Sequence, residues 1–83
     1  MQRINSPTQI GGILISRRKA LGVSQATLAA KLAISQQRLS ELETQPGSLT
    51  VERLMAWFNL LSLDLVVDER ATKDKKSSAK VEW

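Results

Sequence analysis

Four polar residues in one short stretch have side chains suited to reading DNA bases: Ser35, Gln36, Gln37 and Ser40. The carboxamides of Gln36 and Gln37 can donate to N7 and accept from N6 of adenine, and each such pair is worth about 1–3 kcal/mol of base discrimination. The Ser40 hydroxyl, one helical turn further on, can bond to a base or to a phosphate. We therefore predict these four as base-reading residues. The alternative is that they form a solvated polar face with no ligand.

A second set combines cations, polar side chains and helix-terminal amides, which are the groups that bind DNA phosphates. Ser24 and Gln25 stand at a predicted helix N-terminus, where free amides and the helix dipole favour an anion. A basic cluster, residues 17–19, closes the helix before it. The predicted phosphate contacts are Arg17, Arg18, Lys19, Ser24, Gln25, Arg38, Thr44 and Gln45.

The formal net charge of +4 over 83 residues is distributed unevenly. Residues 1–40 contain six basic residues and no acidic one, residues 41–69 have a net charge of −5, and residues 70–83 have a net charge of +3. An acid-free half indicates a polyanionic partner, in the first place nucleic acid. The alternative is chance clustering of surface charge, since charge patterning is a weak functional signal.

The composition argues against an enzyme. The chain has no cysteine and no histidine, so disulfides and thiolate metal sites are excluded and the commonest general base is missing. We expect no metal, no cofactor and no small-molecule substrate. No apolar run approaches the roughly 20 residues of a membrane span, and we expect a cytoplasmic, nucleoid-associated protein with no membrane partner.

Capping residues and apolar periodicity predict four helices. Ser6, Ser24, Ser35 and Thr50 are the predicted N-caps, and Gly22 is a predicted left-handed C-cap. The residues predicted to face inward are Ile10, Ile13, Leu14, Arg17 and Leu21 on the first helix, Leu28, Ala29 and Leu32 on the second, Leu39 and Leu42 on the third, and Val51, Leu54, Met55, Phe58 and Leu61 on the fourth.

Two features of these helices have alternative interpretations. Gly11 and Gly12 either soften the first helix locally or allow something to pack closely against its backbone. Trp57, on the fourth helix, belongs to the core or to a dimer interface rather than to a binding site.

Residues 63–68 alternate between apolar and polar side chains, which predicts a strand. One strand alone would leave its backbone groups unpaired, so we predict that it pairs with the same strand of a second copy across a two-fold axis. The predicted dimer strand consists of Leu63, Leu65, Val66 and Val67. The alternative is that these residues continue the fourth helix.

Residues 25–43 place two short helices around a tight turn, and this segment resembles the Cro/CI-type helix-turn-helix family. The resemblance covers about residues 7–61 and rests on Gln25, Leu28, Ala29, Ile34, Ser40 and Glu43. It implies a mainly α fold, a four- to five-helix Cro/CI repressor-like bundle, here with one C-terminal β-strand pairing across a homodimer. It also implies base reading by Gln36 and Gln37. Ala33 stands where the family usually has glycine, and a left-handed alanine costs on the order of 1 kcal/mol.

Residues 4–9, the predicted strand, the polar tail and the final Glu82-Trp83 resemble HipB-type antitoxins. That resemblance implies a dimer that binds palindromic operators of its own operon, represses it, and neutralises a HipA-type serine/threonine kinase toxin.

We predict a DNA-binding and dimerisation domain over residues 1–68 and a disordered tail over residues 69–83, with Trp83 as an anchor on the toxin or, alternatively, a solvated end. A stand-alone phage-type repressor and a protein-interaction adaptor remain alternatives.

Overall fold

The computed structural model describes residues 2–69. It has four α-helices, α1 (Pro7–Ala20), α2 (Gln25–Leu32), α3 (Gln36–Thr44) and α4 (Val51–Leu60), with one turn of 3-10 helix over Pro46–Ser48 before α4. The prediction of a mainly helical bundle with four helices is confirmed. None of the helices in the described range has the length and apolar character that crossing a membrane requires. The predicted tail from residue 70 onward, including Trp83, lies outside the described residues.

Three of the helices begin at the predicted hydroxyl caps. The Ser24 Oγ accepts from the Thr27 amide at 3.0 Å and the Ser35 Oγ accepts from the Arg38 amide at 3.0 Å. The Thr50 hydroxyl does the same for the Arg53 amide at 3.1 Å. Each cap satisfies an amide that has no partner within its own helix. The starts of α2, α3 and α4 are therefore fixed by local sequence.

Three helix ends share one geometry, in which a left-handed residue follows the helix. These residues are Gly22, Ala33 and Ser62, with φ angles of 71°, 60° and 56°. At each end the next amide reaches back five residues, as Leu63 N–H does to the Phe58 carbonyl at 2.8 Å, which is a Schellman motif. Ala33, which stands where the family usually has glycine, thus adopts the left-handed conformation. Because α4 ends in this way, the alternative that residues 63–68 continue the helix is wrong.

The core lies between the four helices. It is formed by Leu14, Leu28, Ala29, Leu39, Leu42, Trp57, Phe58 and Leu61. α3 packs against α1 and α2, and α4 packs against α2. Trp57 is completely buried, so its assignment to the core is confirmed. The inward assignment of Leu21 is wrong, since it is 44% exposed just after α1, and so is that of Val51 and Met55, which are 70% and 50% exposed. The large Trp57 side chain takes the inner face of α4 and turns those two residues outward.

Gly11 and Gly12 have different environments although they are adjacent. A Cβ at Gly11 would lie 2.5 Å from the carbonyl oxygen of Glu43 and 3.1 Å from Pro46 Cγ, whereas a Cβ at Gly12 would meet nothing within 4 Å. Close packing against the helix backbone is therefore confirmed at Gly11. This contact lets the end of α3 lie directly on α1.

Residues 63–69 are not assigned to a strand in the single chain. Leu63 packs on the core, whereas the side chains beyond it are exposed, with Val67 at 92%. A strand is defined by hydrogen bonds to a neighbouring strand, and none of the described residues provides one. Pairing with a second copy therefore stays a prediction.

Candidate nucleic-acid interface

α2 and α3 form a helix-turn-helix unit that holds the candidate base-reading helix in place. Leu28 and Ala29 on α2 and Leu39 on α3 are buried together. Ala29 is small, which allows the two helices to approach closely, and the left-handed Ala33 turns the chain between them. Ile34 in the turn packs on the same core. This packing leaves the N-terminal end of α3 at the surface.

The four predicted base-reading residues lie on the first part of α3. Ser35, Gln36 and Gln37 are exposed, and Ser40 is half-buried. Gln37 makes no side-chain hydrogen bond with another described residue, so its carboxamide is free to pair. The Ser35 hydroxyl oxygen serves as the α3 cap, although its proton remains available to a base or phosphate oxygen. The predicted residues therefore share one end of one helix.

Gln36 is the outermost member of a polar chain that runs into the protein. Its Nε2 lies 3.5 Å from Oε1 of Gln25, and Nε2 of Gln25 donates to Oε1 of Glu43 at 3.0 Å. Glu43 is buried. Because Gln25 contacts both neighbours, its orientation constrains where the Gln36 amide can point. The chain thus connects the candidate base-reading surface to the core.

Arg18 forms the inner end of this chain. Its Nε donates to Oε2 of Glu43 at 2.7 Å and its Nη2 to Oε1 at 3.3 Å, while its Nη1 donates to the Val23 carbonyl at 3.2 Å. Arg18 is buried, so the prediction that it contacts phosphate is corrected. Its guanidinium is used inside the protein, because a buried carboxylate needs a paired cation.

The neighbouring basic residues have different roles. Lys19 is exposed and free to reach a phosphate. Arg17 is half-buried, and its Nε donates to the Leu61 carbonyl at 2.9 Å, which joins α1 to the end of α4. This bond leaves the two terminal nitrogens of Arg17 without a described partner. The predicted inward stripe of α1 was thus shifted by one residue, since Arg18 rather than Arg17 is buried.

The N-terminus of α2 keeps free donors for an anion. The amides of Gln25 and Ala26 have no hydrogen-bond partner among the described residues, whereas the Thr27 amide is taken by Ser24. The Ser24 hydroxyl donates to Thr27 Oγ1 at 2.9 Å. The backbone at Gln25 and Ala26 is therefore the part of this terminus that suits a phosphate oxygen.

The remaining predicted phosphate contacts lie on α3 and just after it. Nη1 of Arg38 is 3.2 Å from Oε1 of Glu41, and both side chains are about half exposed. Such a surface pair contributes about 0–1 kcal/mol, so Arg38 can exchange it for a phosphate. The Thr44 hydroxyl is engaged with the Ser40 and Glu41 carbonyls. Gln45 is exposed beyond the helix end.

Glu43 is the functional residue for which the sequence predicted no role. A signal was present on α3, because Glu43 stands four residues after Leu39 on the buried stripe, and a buried carboxylate needs a paired cation. The sequence of α1 alone did not decide whether Arg17 or Arg18 supplies that cation.

Comparison with known proteins supports the assignment made from the geometry. The model of the family described as Helix-turn-helix matches residues 14–67. Antitoxin HipB of Escherichia coli (strain K12) is 27% identical over 84 residues, which cover 99% of this chain and 96% of that protein. The family match spans more than half of the chain and includes the α2–α3 unit. The chain therefore belongs to the Cro/CI-type helix-turn-helix family, and its sequence is similar to that of Antitoxin HipB over nearly its whole length.

Proposed function

We propose that the chain is a dimeric, sequence-specific DNA-binding repressor of its own operon and the antitoxin of a HipA-type serine/threonine kinase toxin. The observation that carries the DNA-binding half is the exposed start of α3. There Gln36 presents its carboxamide at the end of a polar chain that leads through Gln25 to the buried Glu43, and the carboxamide of Gln37 beside it has no partner among the described residues. A preorganised amide loses little freedom on pairing with a base.

The proposed contacts separate into two classes. Ser35, Gln36, Gln37 and Ser40 read bases in the major groove, where a recognition helix enters with its N-terminal residues. The proposed phosphate contacts are Arg17, Lys19, Ser24, Gln25, Arg38, Thr44 and Gln45. The side chains of Ser24 and Thr44 are the weakest of these, because both hydroxyl protons are used in hydrogen bonds within the protein. Phosphate contacts hold the register of the protein on the duplex, and base contacts supply the sequence preference.

Dimerisation is proposed to occur through Leu63, Leu65, Val66 and Val67. The last three are exposed in the single chain, and exposed apolar residues on extended backbone favour pairing with a second strand. A two-fold dimer would place two copies of α3 against a palindromic site. We expect half-sites about 34–36 Å apart, one turn of the double helix, or a multiple of that distance.

The antitoxin half of the proposal is supported by similarity to Antitoxin HipB over nearly the whole of both chains. We propose that the partner is a HipA-type kinase and that Trp83 contacts it, because tryptophan is favoured at binding hot spots. We also propose that the protein acts in the cytoplasm, on nucleoid DNA.

A binding measurement on the DNA upstream of the gene tests the repressor half. Fluorescence anisotropy over a range of salt concentrations should show tight binding to the upstream duplex and weaker binding to a shuffled duplex of equal length. The double variant Gln36→Ala, Gln37→Ala should lose that preference. A folded wild-type protein that does not distinguish the two duplexes at low salt would refute this half and favour a protein-interaction adaptor.

The toxin half is tested separately, with the product of the adjacent gene. If that product is a HipA-type kinase, full-length protein should bind it and suppress its autophosphorylation or substrate phosphorylation. The Trp83→Ala variant should bind it more weakly while binding DNA normally. An adjacent gene unrelated to kinases, with DNA binding intact, would leave a stand-alone repressor.

A further inference from the structure

A cleft of about 750 Å³ separates the two ends of the described chain. We name its walls the N-terminal arm (residues 2–5) and the C-terminal segment (residues 63–68). Ile4 contributes to one wall, Leu65 and Val66 to the other, and Ile10 on α1 to the lining. A smaller adjoining cavity of about 190 Å³ is lined by Ile4, Leu65 and Val66 as well, with Phe58 from the core. The cleft is therefore lined by these apolar side chains together with the polar or charged side chains of Gln2, Arg3, Asn5 and Asp68.

Neither wall belongs to a helix or a strand of the described chain, and most of their backbone groups are unpaired. Within residues 2–69, neither residues 2–5 nor residues 64–68 make a backbone–backbone hydrogen bond. The arm is nevertheless held in place, because the Gln9 side chain accepts from the Asn5 amide and donates to the Arg3 carbonyl at 3.3 Å. A cleft between two segments with unpaired backbone groups offers donors and acceptors to a strand placed between them.

We infer that the C-terminal segment of a second copy occupies this cleft, so that the N-terminal arm is part of the dimer interface. This inference rests on the proposed dimer and extends it to residues outside the predicted strand. In the pair, the two C-terminal segments lie antiparallel at the centre of one sheet, and each copy's arm pairs with the outer side of its partner's segment. The result is a four-stranded sheet, with an arm at each edge.

The same segment fits the cleft because the interface is self-complementary. Under a two-fold axis, each copy both offers its segment and receives the other one, as an isologous interface requires. Neighbouring side chains on a strand point to opposite faces, so Val67 leaves solvent on the face that it shares with Leu63, together with Ile4, while Val66 lies on the opposite face. A second copy therefore covers exposed apolar surface at this end of the molecule.

The charges of the two walls are opposite in sign. The arm carries Arg3, which makes no ion pair with another described residue. The segment carries Asp64 and Asp68, which line the cavities and are exposed. Placing each segment beside the partner's arm brings these carboxylates near the partner's Arg3. A negatively charged strand is thus received by a positively charged edge, whereas a basic strand would be repelled.

The test measures the dimer dissociation constant of the full chain by sedimentation, with helix content checked by circular dichroism. Ile4→Gln places a polar amide in the cleft and should weaken the dimer about tenfold or more, because it removes a buried isoleucine from the interface. Leu21→Gln is the matched control: Ile4 and Leu21 are 37% and 44% exposed, and they flank opposite ends of the 14-residue α1. The control should change the constant less than about twofold.

Two further measurements separate the arm from the segment. Val67→Asp should weaken the dimer whether or not the arm takes part. Of the arm amides, that of Ile4 should exchange slowly with solvent above the dimer dissociation constant and rapidly below it, because the Arg3 carbonyl and the Asn5 amide on the other side of the arm are bonded to Gln9. If Val67→Asp weakens the dimer while Ile4→Gln does not and the Ile4 amide exchanges rapidly at every concentration, the arm inference is overturned and the strand dimer stands. A chain that stays monomeric throughout overturns both.

Discussion

The guanidinium of Arg18 and the carboxylate of Glu43 form a buried ion pair, with Nε of the arginine 2.7 Å from Oε2 of the glutamate and side-chain exposures of 10% and 2%. The pair joins the end of α1 to the end of α3. Glu43 also accepts from Gln25, which contacts Gln36. The charge pair inside the core is therefore connected through Gln25 to one candidate base-reading residue, Gln36.

Breaking this pair should destabilise the fold strongly. Arg18→Met removes the cation and leaves a buried carboxylate without its partner, which we expect to cost about 3–5 kcal/mol in the free energy of unfolding. The double variant Arg18→Met, Glu43→Leu removes both charges and should regain most of that loss. Urea unfolding measures both. A single variant as stable as the wild type would show that the pair is not structurally important.

The adjacent glycines of α1 provide a matched pair of substitutions. Gly11→Ala places a methyl group 2.5 Å from the Glu43 carbonyl oxygen, so α1 and α3 must separate, and we expect a loss of about 1–3 kcal/mol. Gly12→Ala meets nothing within 4 Å and should gain up to about 1 kcal/mol from helix propensity. Thermal and urea unfolding of the two variants should shift in opposite directions. Equal shifts would contradict the close contact at Gly11.

The left-handed residues after α2 and α4 should be improved by glycine. Ala33→Gly and Ser62→Gly remove a steric cost of about 1–2 kcal/mol each, partly offset by the larger entropy of glycine in the unfolded chain. We expect a net gain of about 0.5–1 kcal/mol for Ala33→Gly, seen as a higher urea midpoint with an unchanged slope. Ala20→Gly lies inside α1 and should be destabilising. A lower midpoint for Ala33→Gly would argue against a strained turn.

DNA binding should separate Gln36 from Arg38. Gln36→Ala should cost about 1–3 kcal/mol on the preferred operator and relax the preference at one base position. Arg38→Ala should weaken all sequences alike and lower the slope of log affinity against log salt by about one unit. Anisotropy titrations against single-base operator variants at several salt concentrations resolve the two effects. The same loss of specificity from both variants would contradict this division.

The parts of the fold that could be predicted were those decided by nearby residues. Ser24, Ser35 and Thr50 cap their helices because a hydroxyl accepts a hydrogen bond from the free amide three residues later. This bond is local, so it forms wherever the helix packs in the fold. Ala33 is left-handed because the chain must turn there. The exposed position of Gln37 follows from the phase of a short amphipathic helix.

The parts that could not be predicted depend on distant residues. Arg17 and Arg18 differ by 100° around α1, and only the position of Glu43 on α3 decides which of them is buried. Val51 and Met55 fit the apolar periodicity of α4, but Trp57 fills the inner face and excludes them. Periodicity predicts that a helix has an apolar stripe more reliably than it predicts where around the helix that stripe is centred.

The hydrogen bond from Arg17 to the Leu61 carbonyl has a consequence for operator length. This bond, 2.9 Å long, holds α1 against the last turn of α4. The neighbouring residue, Arg18, holds α1 against α3 through its pair with Glu43. In the proposed dimer, these contacts hold the recognition helix α3 at a fixed distance and rotation from the two-fold axis. Inserting one base pair between half-sites shifts one of them by about 3.4 Å and rotates it by about 34°. A rigid dimer cannot follow that rotation. We therefore expect its affinity for the operator to depend on the half-site spacing as strongly as on the base sequence.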